Sequence, residues 1–382
     1  MKILSKSALL CATLLTSTFA VAQISTTVGD VPFKMKFNGR TNLDLGTYLG
    51  ADDNAPNRNG VVINDTRLGL IADIDTVWQA KIELSFSSKA VNFRDAWVKR
   101  TFPSLGSEIQ VGNFFFPFGY MRAGINFKFI ERSSADAAFV TGRKMGIAYL
   151  SYSPKFNYGF GIFSDGNVDN GKKANQGYSV NAFALFRPID NAGTIFHAGV
   201  AGIITHPSGT VSFNGTAPQN FVSNTLIKTP ALEAYNYTRL EVHALSIVRR
   251  FYAEARFFKA FVNLPNEIVV ATDEMGNIYV APQDNYDGMY GISAQAAWRI
   301  FGPNHSYNRK TGLTGNASAR AFEVLARFSR IDLDQYGAIN DVTLGVNYFF
   351  NKYLRAKVNY VHSHIADGAH MDMLQTRLQF SF

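Results

Sequence analysis

The ten residues Met373–Phe382, MLQTRLQFSF, alternate between two faces without a break and finish on an aromatic residue. Successive side chains of a β-strand point to opposite sides, so one face of this strand is apolar and the other is mostly polar. Lipid outside and water inside impose that alternation on the strands of a membrane barrel. The pattern therefore predicts a terminal strand that closes such a barrel, with an apolar face made of Leu374, Thr376, Leu378, Phe380 and Phe382.

The beginning of the sequence indicates export. Two lysines precede the apolar stretch at 8–15, and small residues follow at the spacing of a cleavage site. We predict a secretory signal peptide at 1–22, cleaved before Gln23. The single cysteine, Cys11, lies inside it, so the one domain expected at 23–382 would contain neither disulfides nor thiolate metal ligands.

Composition and charge narrow the class of protein. Lysine and arginine number 37 against 29 aspartate and glutamate, a net charge of +8. No run of about 18 apolar residues follows the signal peptide, as a membrane helix would require. The strands of a membrane barrel interleave apolar with polar residues and need no such run. Nucleic-acid binding is not expected of an exported chain without a lysine or arginine run.

Strand-like segments recur along the whole chain. Sixteen can be delimited, an even number, as expected for a bacterial outer-membrane barrel. A half-buried antiparallel sheet is the soluble alternative, but no helical segment supplies a layer to cover it. We therefore predict an all-β, sixteen-stranded antiparallel transmembrane barrel with strands near 33–49, 60–74, 77–88, 92–102, 107–115, 142–153, 156–165, 176–188, 193–206, 232–249, 251–263, 288–301, 318–332, 339–350, 352–364 and 373–382.

The connections between these segments fall into two classes. Every second one is a brief turn rich in turn-forming residues, which predicts a periplasmic end. The others include the long stretches 116–141, 207–231 and 264–287, which we assign to the extracellular end. The segment 302–317 breaks the rule, because its position in the order is periplasmic although it is long. The alternation gives no reason for this length.

Extending the alternation inward predicts which charges line the lumen. An excess of fixed positive charge in a narrow aqueous channel concentrates anions. Pairing of these charges across strands, with no ion preference, is the alternative. The predicted acidic lining is Asp44, Asp73, Glu83, Asp95, Glu241, Glu254 and Glu323. The predicted basic lining is larger and comprises Lys34, Lys36, Arg40, Arg67, Lys81, Lys99, Arg256, Arg299, Arg327, Arg355, Lys357 and Arg377.

The third extracellular connection, 116–141, combines basic residues with many phenylalanines. Its apolar residues favour a buried position over an exposed surface loop. A barrel of sixteen strands is wide enough to leave an aqueous channel, which an inward-folded loop would narrow. We therefore predict that 116–141 folds into the lumen.

Several short blocks of the sequence point to one family. They are FRDAWV at 93–98, IQVGN at 109–113, PFG at 117–119 and FIERS at 129–133, followed in the last third by EVLARFS at 323–329, IDL at 331–333, TLGVNY at 343–348 and NYVH at 359–362. Together they resemble the phosphate-selective porins O and P. The resemblance covers most of residues 23–382 and is strongest around 93–133 and 322–382.

This resemblance implies a trimeric outer-membrane channel whose third loop forms the constriction. It further implies that Arg122, Lys128 and Arg132 supply basic groups there, with Asp95 as the acidic partner. Small anions such as phosphate, or polyphosphate, would be the permeants, and no cofactor is expected. The expected partners are outer-membrane lipid, lipopolysaccharide and the barrel-assembly machinery, which would recognise Phe382 as an assembly signal.

Two further patterns concern metal binding and catalysis. His362, His364 and His370, with Asp367, could bind a metal ion, but a polar loop is the preferred interpretation because nothing fixes their geometry. No motif of a hydrolase is present. The sequence thus favours a passive, anion-preferring porin over an outer-membrane lipase or protease, and over a plugged surface adhesin or assembly barrel. Within that porin, Lys128 and Arg132 would govern permeation, and Arg377, expected near the wide periplasmic mouth, would matter less.

Overall fold

A computed structural model describes residues 23–51, 59–86, 90–118, 127–165, 176–220, 224–265, 268–272, 278–282, 285–366 and 368–382. Sixteen antiparallel strands, β1 to β16 in chain order, each pair with the next, and β16 pairs with β1 to close a barrel. The predicted architecture and strand number are confirmed. The strands are Val31–Ala51, Gly60–Ile74, Trp78–Phe86, Val91–Phe102, Ser107–Phe114, Lys144–Tyr152, Phe156–Ser164, Tyr178–Asn191, Thr194–His206, Asn236–Val248, Phe251–Asn263, Tyr290–Phe301, Ala321–Asp332, Ala338–Phe349, Leu354–Ile365 and His370–Ser381.

Burial alternates along the strands as the sequence predicts. In β16, Leu374 and Leu378 are 39% and 41% exposed on the outer surface, whereas Gln375 and Gln379 face inward and are almost completely buried. Lipid-facing apolar residues count as exposed in an isolated barrel, so this inverted pattern is typical of a membrane protein.

The connections at one end of the barrel are short. They include residues 75–77, 103–106, 153–155, 192–193, 249–250 and 350–353, and this is the end predicted to be periplasmic. The segment 302–320 at the same end is long, as predicted, and contains the paired two-residue strands Tyr307–Asn308 and Leu313–Thr314. At the other end, the third connection contains the helix α1, Ser134–Phe139. None of the helices in the described ranges has the length and apolar character needed to cross a bilayer.

Smaller elements accompany the barrel. Gln23–Val28 forms a strand that pairs with the first residues of β1, and two more hairpins, 214–215 with 227–228 and Ile268–Thr272 with Ile278–Pro282, lie in connections at the long-loop end. Two single turns of 3₁₀ helix, Pro103–Leu105 and Asp334–Tyr336, connect neighbouring strands.

The described lumen contains a packed apolar cluster. The α1 residue Phe139 stacks on Phe258 of β11 with ring centroids 5.8 Å apart, and it also contacts Phe213 from the connection 207–235. Inward-facing residues of β9 to β15, including Ile203 and Ile339, complete the cluster. Two connections from the long-loop end therefore fill the lumen beside β9 to β15, and the inward fold predicted for the third loop is confirmed for its described part.

The outer surface provides a first prediction. Replacing Leu344 with arginine is expected to lower the free energy of unfolding by about 2–4 kcal/mol, because this outward side chain, 51% exposed, lies in the middle of β14. Ile71 is the matched control, since it lies on the inward face of β2, opposite Lys36 of β1, and arginine there would meet water. Urea unfolding in detergent or lipid measures both variants. An equal loss at the two positions would contradict the assignment of faces.

The closing seam provides a second prediction. Phe382 continues the β16–β1 ladder, since its N–H donates to Gly39 O at 3.0 Å and the Gly39 N–H donates to Phe382 O at 3.1 Å. The aromatic ring covers Gly39, where a Cβ atom would lie only 2.7 Å from it. Deleting Phe382 is expected to reduce the amount of folded, heat-modifiable protein in the outer membrane. Phe350→Ala, which removes an exposed aromatic ring elsewhere, is the control. Wild-type levels after the deletion would count against a role of Phe382 in assembly.

Candidate functional site

Within the lumen, residues 127–131 of the third connection form a strap, which the wall of β13 to β16 holds by its backbone. Lys357 donates to the carbonyls of Phe127 and Phe129. Asn347, Arg377 and Arg327 then bind the remaining three carbonyls of the strap, those of Lys128, Ile130 and Glu131, at 2.8, 2.6 and 2.8 Å. All five consecutive carbonyls thus accept hydrogen bonds from inward-facing side chains of β13 to β16, which fixes the path of the strap.

The helix α1 after the strap is held by charge as well. Its Asp136 receives two hydrogen bonds from Arg256 of β11, one of them at 2.8 Å, and both side chains are buried. At the N-terminus, the Ser133 hydroxyl accepts from the Asp136 N–H at 3.1 Å, as an N-cap residue does. The Ala135 N–H donates to Ser329 Oγ of β13 at 3.2 Å. The strap and the helix therefore form one rigid inner layer against β11 to β16.

The twelve basic residues predicted to line the lumen divide into three groups. Arg256, Arg327, Lys357 and Arg377 bind the strap and α1, as described above. Arg299 and Arg355 bind the segment 302–320, with Arg299 donating to the Pro303 carbonyl at 2.8 Å and Arg355 donating to Asn316. The remaining six share the inward face of β1 to β4, on the side of the barrel that the strap leaves uncovered: Lys34, Lys36, Arg40, Arg67, Lys81 and Lys99.

Four cations and three carboxylates form a continuous chain of ion pairs on that uncovered side, and we call it the ion-pair chain. It runs across β1 to β4 and ends on Arg143, just after the third connection. Asp65 and Asp95 each bridge two cations, and Glu83 contacts three. The N–O distances are 2.5 to 3.3 Å in every pair except the shortest, that of Arg40 with Asp65. In order, its members are Arg40, Asp65, Arg67, Glu83, Lys81, Asp95 and Arg143.

The ion-pair chain surrounds a narrow polar cavity of about 130 Å³, which Asn38 and Gly39 also line. The ion-pair chain has four cations and three carboxylates, so its net charge is positive. The carboxylates hold the cations side by side against their mutual repulsion, which fixes donors around an anion-sized space. The guanidinium of Arg143 is further supported by the ring of Phe115, 4.3 Å away. This arrangement can attract an anion and replace part of its hydration shell.

The predicted constriction residues lie in different places. Asp95 belongs to the ion-pair chain, where it binds Lys81 at 2.5 Å and Arg143 at 2.6 Å. Arg132 is half-buried, with its guanidinium 5.6 Å from the ring of Phe127. Arg122 lies outside the described residues.

Lys128 lies on the opposite side from the ion-pair chain and is almost completely buried. Its Nζ is 3.3 Å from Glu323 and donates to His305 Nδ1 at 3.2 Å. Burial, together with the nearby charges of Lys128 and Arg299, lowers the pKa of His305 to about 3, so this ring is neutral at pH 7 and can accept. Burial likewise lowers the pKa of Lys128. Lys128 thus connects the strap to segment 302–320.

Arg377 is expected from the sequence near the wide periplasmic mouth, but the structure places it elsewhere. It sits in the middle of β16, 5% exposed, and its guanidinium binds both carboxylate oxygens of Asp44 at 2.6 Å. The same group reaches Glu131 at 2.7 Å. Period-two alternation identified the face of this side chain, but it could not show that the strap would cover it.

Two members of the ion-pair chain, Asp65 and Arg143, were missed in the sequence. Asp65 has the same parity along β2 as Arg67 and Asp73, so the alternation already contained that signal. Arg143 lies at the end of the third connection, directly before β6, and only the position of the loop shows that it meets Asp95. The inward Glu108 of β5, which pairs with Lys99 at 3.2 Å, was also missed.

Among the other predicted acidic residues, two form local ion pairs on the inward face. Glu254 binds Arg256 at 2.7 Å, and Asp73 binds Lys36 at 2.9 Å. At the extracellular end of β15, His362 Nδ1 lies 2.8 Å from Asp372, while Asp367 is outside the described residues. Within the described ranges, no group of three or more histidine, aspartate or glutamate side chains is arranged to hold a metal ion.

Comparisons with known proteins give a consistent result. A family model described as phosphate-selective porin O and P matches residues 35–382. No curated protein sequence matches significantly. Among solved structures, the chain resembles OprB of Pseudomonas putida with a TM-score of 0.58 and 10% identity, over 91% of this chain and 94% of that one.

Two further structures share the fold. An anion-selective porin from Comamonas acidovorans gives a TM-score of 0.53 at 14% identity, over 92% of this chain and 100% of that one. A trimer form of OmpT, an outer membrane protein of Vibrio cholerae, gives 0.51 at 12% identity, over 92% and 99%. At these identities the likeness concerns the fold.

Proposed function

The chain belongs to the phosphate-selective porin O and P family, and from this premise we propose that it is an outer-membrane diffusion channel that prefers small anions, including phosphate. The permeation path runs along β1 to β4, past the ion-pair chain. The strap and α1 occupy the lumen beside β11 to β16. The path is therefore confined to the side formed by β1 to β4. The observation that carries the proposal is the ion-pair chain around its narrow cavity.

The charges along this path favour anions. Lys34, Lys36 and Lys99 extend the positive face of the ion-pair chain toward the periplasmic end, and Asp73 and Glu108 offset only part of their charge. Fixed charge acts most strongly where the path is narrow, since electrolyte screens it within about 8 Å at physiological ionic strength. An anion is therefore drawn into the cavity and held there by hydrogen bonds that are each weak enough for release.

The remaining features of the proposal concern assembly. The functional unit is a homotrimer embedded in outer-membrane lipid and lipopolysaccharide, exported by a cleaved signal peptide at 1–22 and inserted by the barrel-assembly machinery. The trimeric OmpT form and the anion-selective porin, which share the fold, support the oligomer and the permeant class. The protein acts as a passive channel and catalyses no reaction.

Single-channel recording in a planar bilayer tests the proposal. In a gradient of KCl, the reversal potential is expected to have the sign of chloride selectivity, and adding phosphate to one side should reduce the chloride current by competition. A reversal potential of zero or of the opposite sign would refute the anion preference. A barrel that conducts no current but has lipase or protease activity would support the enzyme alternative. A barrel that neither conducts nor has such activity would support a plugged adhesin.

A further inference from the structure

The outer surface of the barrel has a recess across β9 to β14. It has a volume of about 590 Å³ and lies between Phe196 of β9 on one side and Phe328 and Val342 on the other. Its floor consists of small outward-facing residues, which lie opposite one another on neighbouring strands in two rows: Ser246, Ala253, Ala296 and Ala326 in the row nearer the periplasmic end, and Ala244, Ala255 and Ala294 in the next row.

Large outward side chains bound the recess along the strands. Phe251 and Trp298, opposite each other on β11 and β12, form its periplasmic edge and are 45% and 57% exposed. Phe257 and Ile292, also opposite each other, form its extracellular edge. The rise of a strand separates Phe251 from Phe257 by about 20 Å. An open recess forfeits dispersion contacts, which a hydrocarbon chain lying in it would restore.

Two arginines lie at the periplasmic end of β12, directly beyond the recess. Arg250 donates to the Ile300 carbonyl at 3.3 Å, and the guanidinium of Arg320 lies 5.8 Å from the ring of Phe301. Both arginines are exposed. Ile300 and Ala296 share the outward face of β12, so this strand leads from the two guanidinium groups to the floor of the recess.

The charge of this part of the periplasmic rim is positive throughout. The connecting residues 191–194, 248–251, 302–320 and 350–353 include arginine and lysine but no aspartate or glutamate. A guanidinium group binds two phosphate oxygens at once, and clusters of basic residues at a membrane surface attract anionic lipid headgroups. The rim is therefore complementary to a phosphate group that lies at the level of the membrane surface.

A second copy of the barrel is a poorer match for this surface. In a closed ring of three, the two contact surfaces of one barrel lie about 60° apart, which is about three of its sixteen strands. The periplasmic turns at that distance from the centre of the recess, 192–193 and 350–353, contain no aspartate or glutamate, and the second carries Lys352. A trimer contact through the recess would therefore bring Arg250 and Arg320 no acidic partner from these turns.

We propose that the recess binds an anionic phospholipid of the periplasmic leaflet, with one acyl chain over the alanine floor and the phosphate group between Arg250 and Arg320. This inference rests on the proposed position of the barrel in the outer membrane, but it does not require that the channel prefer anions. The apolar recess and the basic rim bind different parts of the same molecule, so each can be tested separately.

Native mass spectrometry of the folded protein in detergent tests the recess. The wild type is expected to retain phosphatidylglycerol in preference to phosphatidylcholine with the same acyl chains. Ala253→Trp fills the recess and should weaken retention of both lipids by about fourfold for each methylene group that the indole displaces. Ala80→Trp is the matched control, since Ala80 is the third residue of β3 as Ala253 is of β11 and lies outside the recess. Equal retention of both lipids by the wild type, or equal losses in the two variants, would overturn the proposal.

Removing the two arginines tests the headgroup contact. Arg250→Gln combined with Arg320→Gln should abolish the preference for phosphatidylglycerol and leave the retention of phosphatidylcholine unchanged. Lys155→Gln combined with Lys352→Gln removes the same charge from other turns of the rim and should keep the preference. An equal loss in both double variants would overturn the proposal. Because both arginines are exposed, this pair decides the test if Ala253→Trp does not fold.

The same spectra separate the other possible occupant. Dissociation of a trimer in Ala253→Trp, with lipid retention unchanged, would assign the recess to a second copy of the chain and overturn the proposal. Lipid retention does not depend on conductance. A channel without ion preference would therefore refute the proposed function and leave this inference standing, whereas an anion-selective channel that retains no phosphatidylglycerol would do the reverse.

Discussion

Replacing Arg143 with glutamate is expected to remove or reverse the anion preference of the channel. The ion-pair chain has four cations and three carboxylates, and this one exchange makes it three cations and four carboxylates. Since these groups surround the narrow cavity, the sign of the local field changes where the ion is least screened. Arg143 lies outside the middle of any strand, so the barrel should still fold.

The measurement is the reversal potential in a tenfold KCl gradient, which is bounded at about 59 mV for a perfectly selective monovalent channel. Arg143→Gln, with three cations and three carboxylates, should lie between the wild type and Arg143→Glu. The control is Lys155→Glu, which changes the net charge equally but lies in an exposed turn at residues 153–155. Raising the salt to 1 M shortens the screening length to about 3 Å and should shrink the differences. Identical reversal potentials in all variants would place selectivity elsewhere in the barrel.

Replacing Arg377 with methionine is expected to destabilise the protein and loosen the strap. The guanidinium binds both oxygens of Asp44 and also Glu131 and the Ile130 carbonyl, all within 2.7 Å. Without this guanidinium, the completely buried carboxylate of Asp44 lacks its main partner. Removing one partner of a buried ion pair lowers the free energy of unfolding by about 3–5 kcal/mol. The strap also loses one of its five carbonyl anchors, so the conductance should rise and become noisier.

Urea unfolding and single-channel recording measure the two effects. Arg377→Met combined with Asp44→Asn should recover much of the stability, because the uncompensated charge is removed, but the strap remains short of an anchor and the conductance should stay altered. Lys155→Met, in the exposed turn 153–155, is the control and should change neither quantity. Wild-type stability and conductance in Arg377→Met would show that the strap does not depend on this contact.

The charge exchange at Lys128 that the sequence suggested now has a different expected outcome. Lys128 is buried between Glu323 and His305, on the side away from the ion-pair chain. Glutamate there would face Glu323 across a few ångströms in a buried site, so loss of folded protein is the expected result. A basic residue in a loop predicted to line a pore can therefore serve to fasten that loop.

The sequence alone determined the barrel and the direction of its side chains. Period-two alternation in β14 to β16 is local, since each strand presents one face to lipid and one to the interior, and this requires no knowledge of the partners. The number of strands and the short turns follow from the same alternation, to which the long segment at 302–317 was the exception. The same alternation indicated that Arg377, Lys357 and Arg67 face inward.

Only the tertiary structure decided which inward charges remain beside the path. Parity gives the side of the sheet on which a residue lies, but not what covers it from across the lumen. Arg377 meets Asp44 over a separation of 333 residues, and Lys357 meets the carbonyl of Phe127 over 230. Such contacts depend on how the connections fold into the interior. For that reason half of the predicted basic lining fastens loops, while Arg143, at a loop end, completes the ion-pair chain.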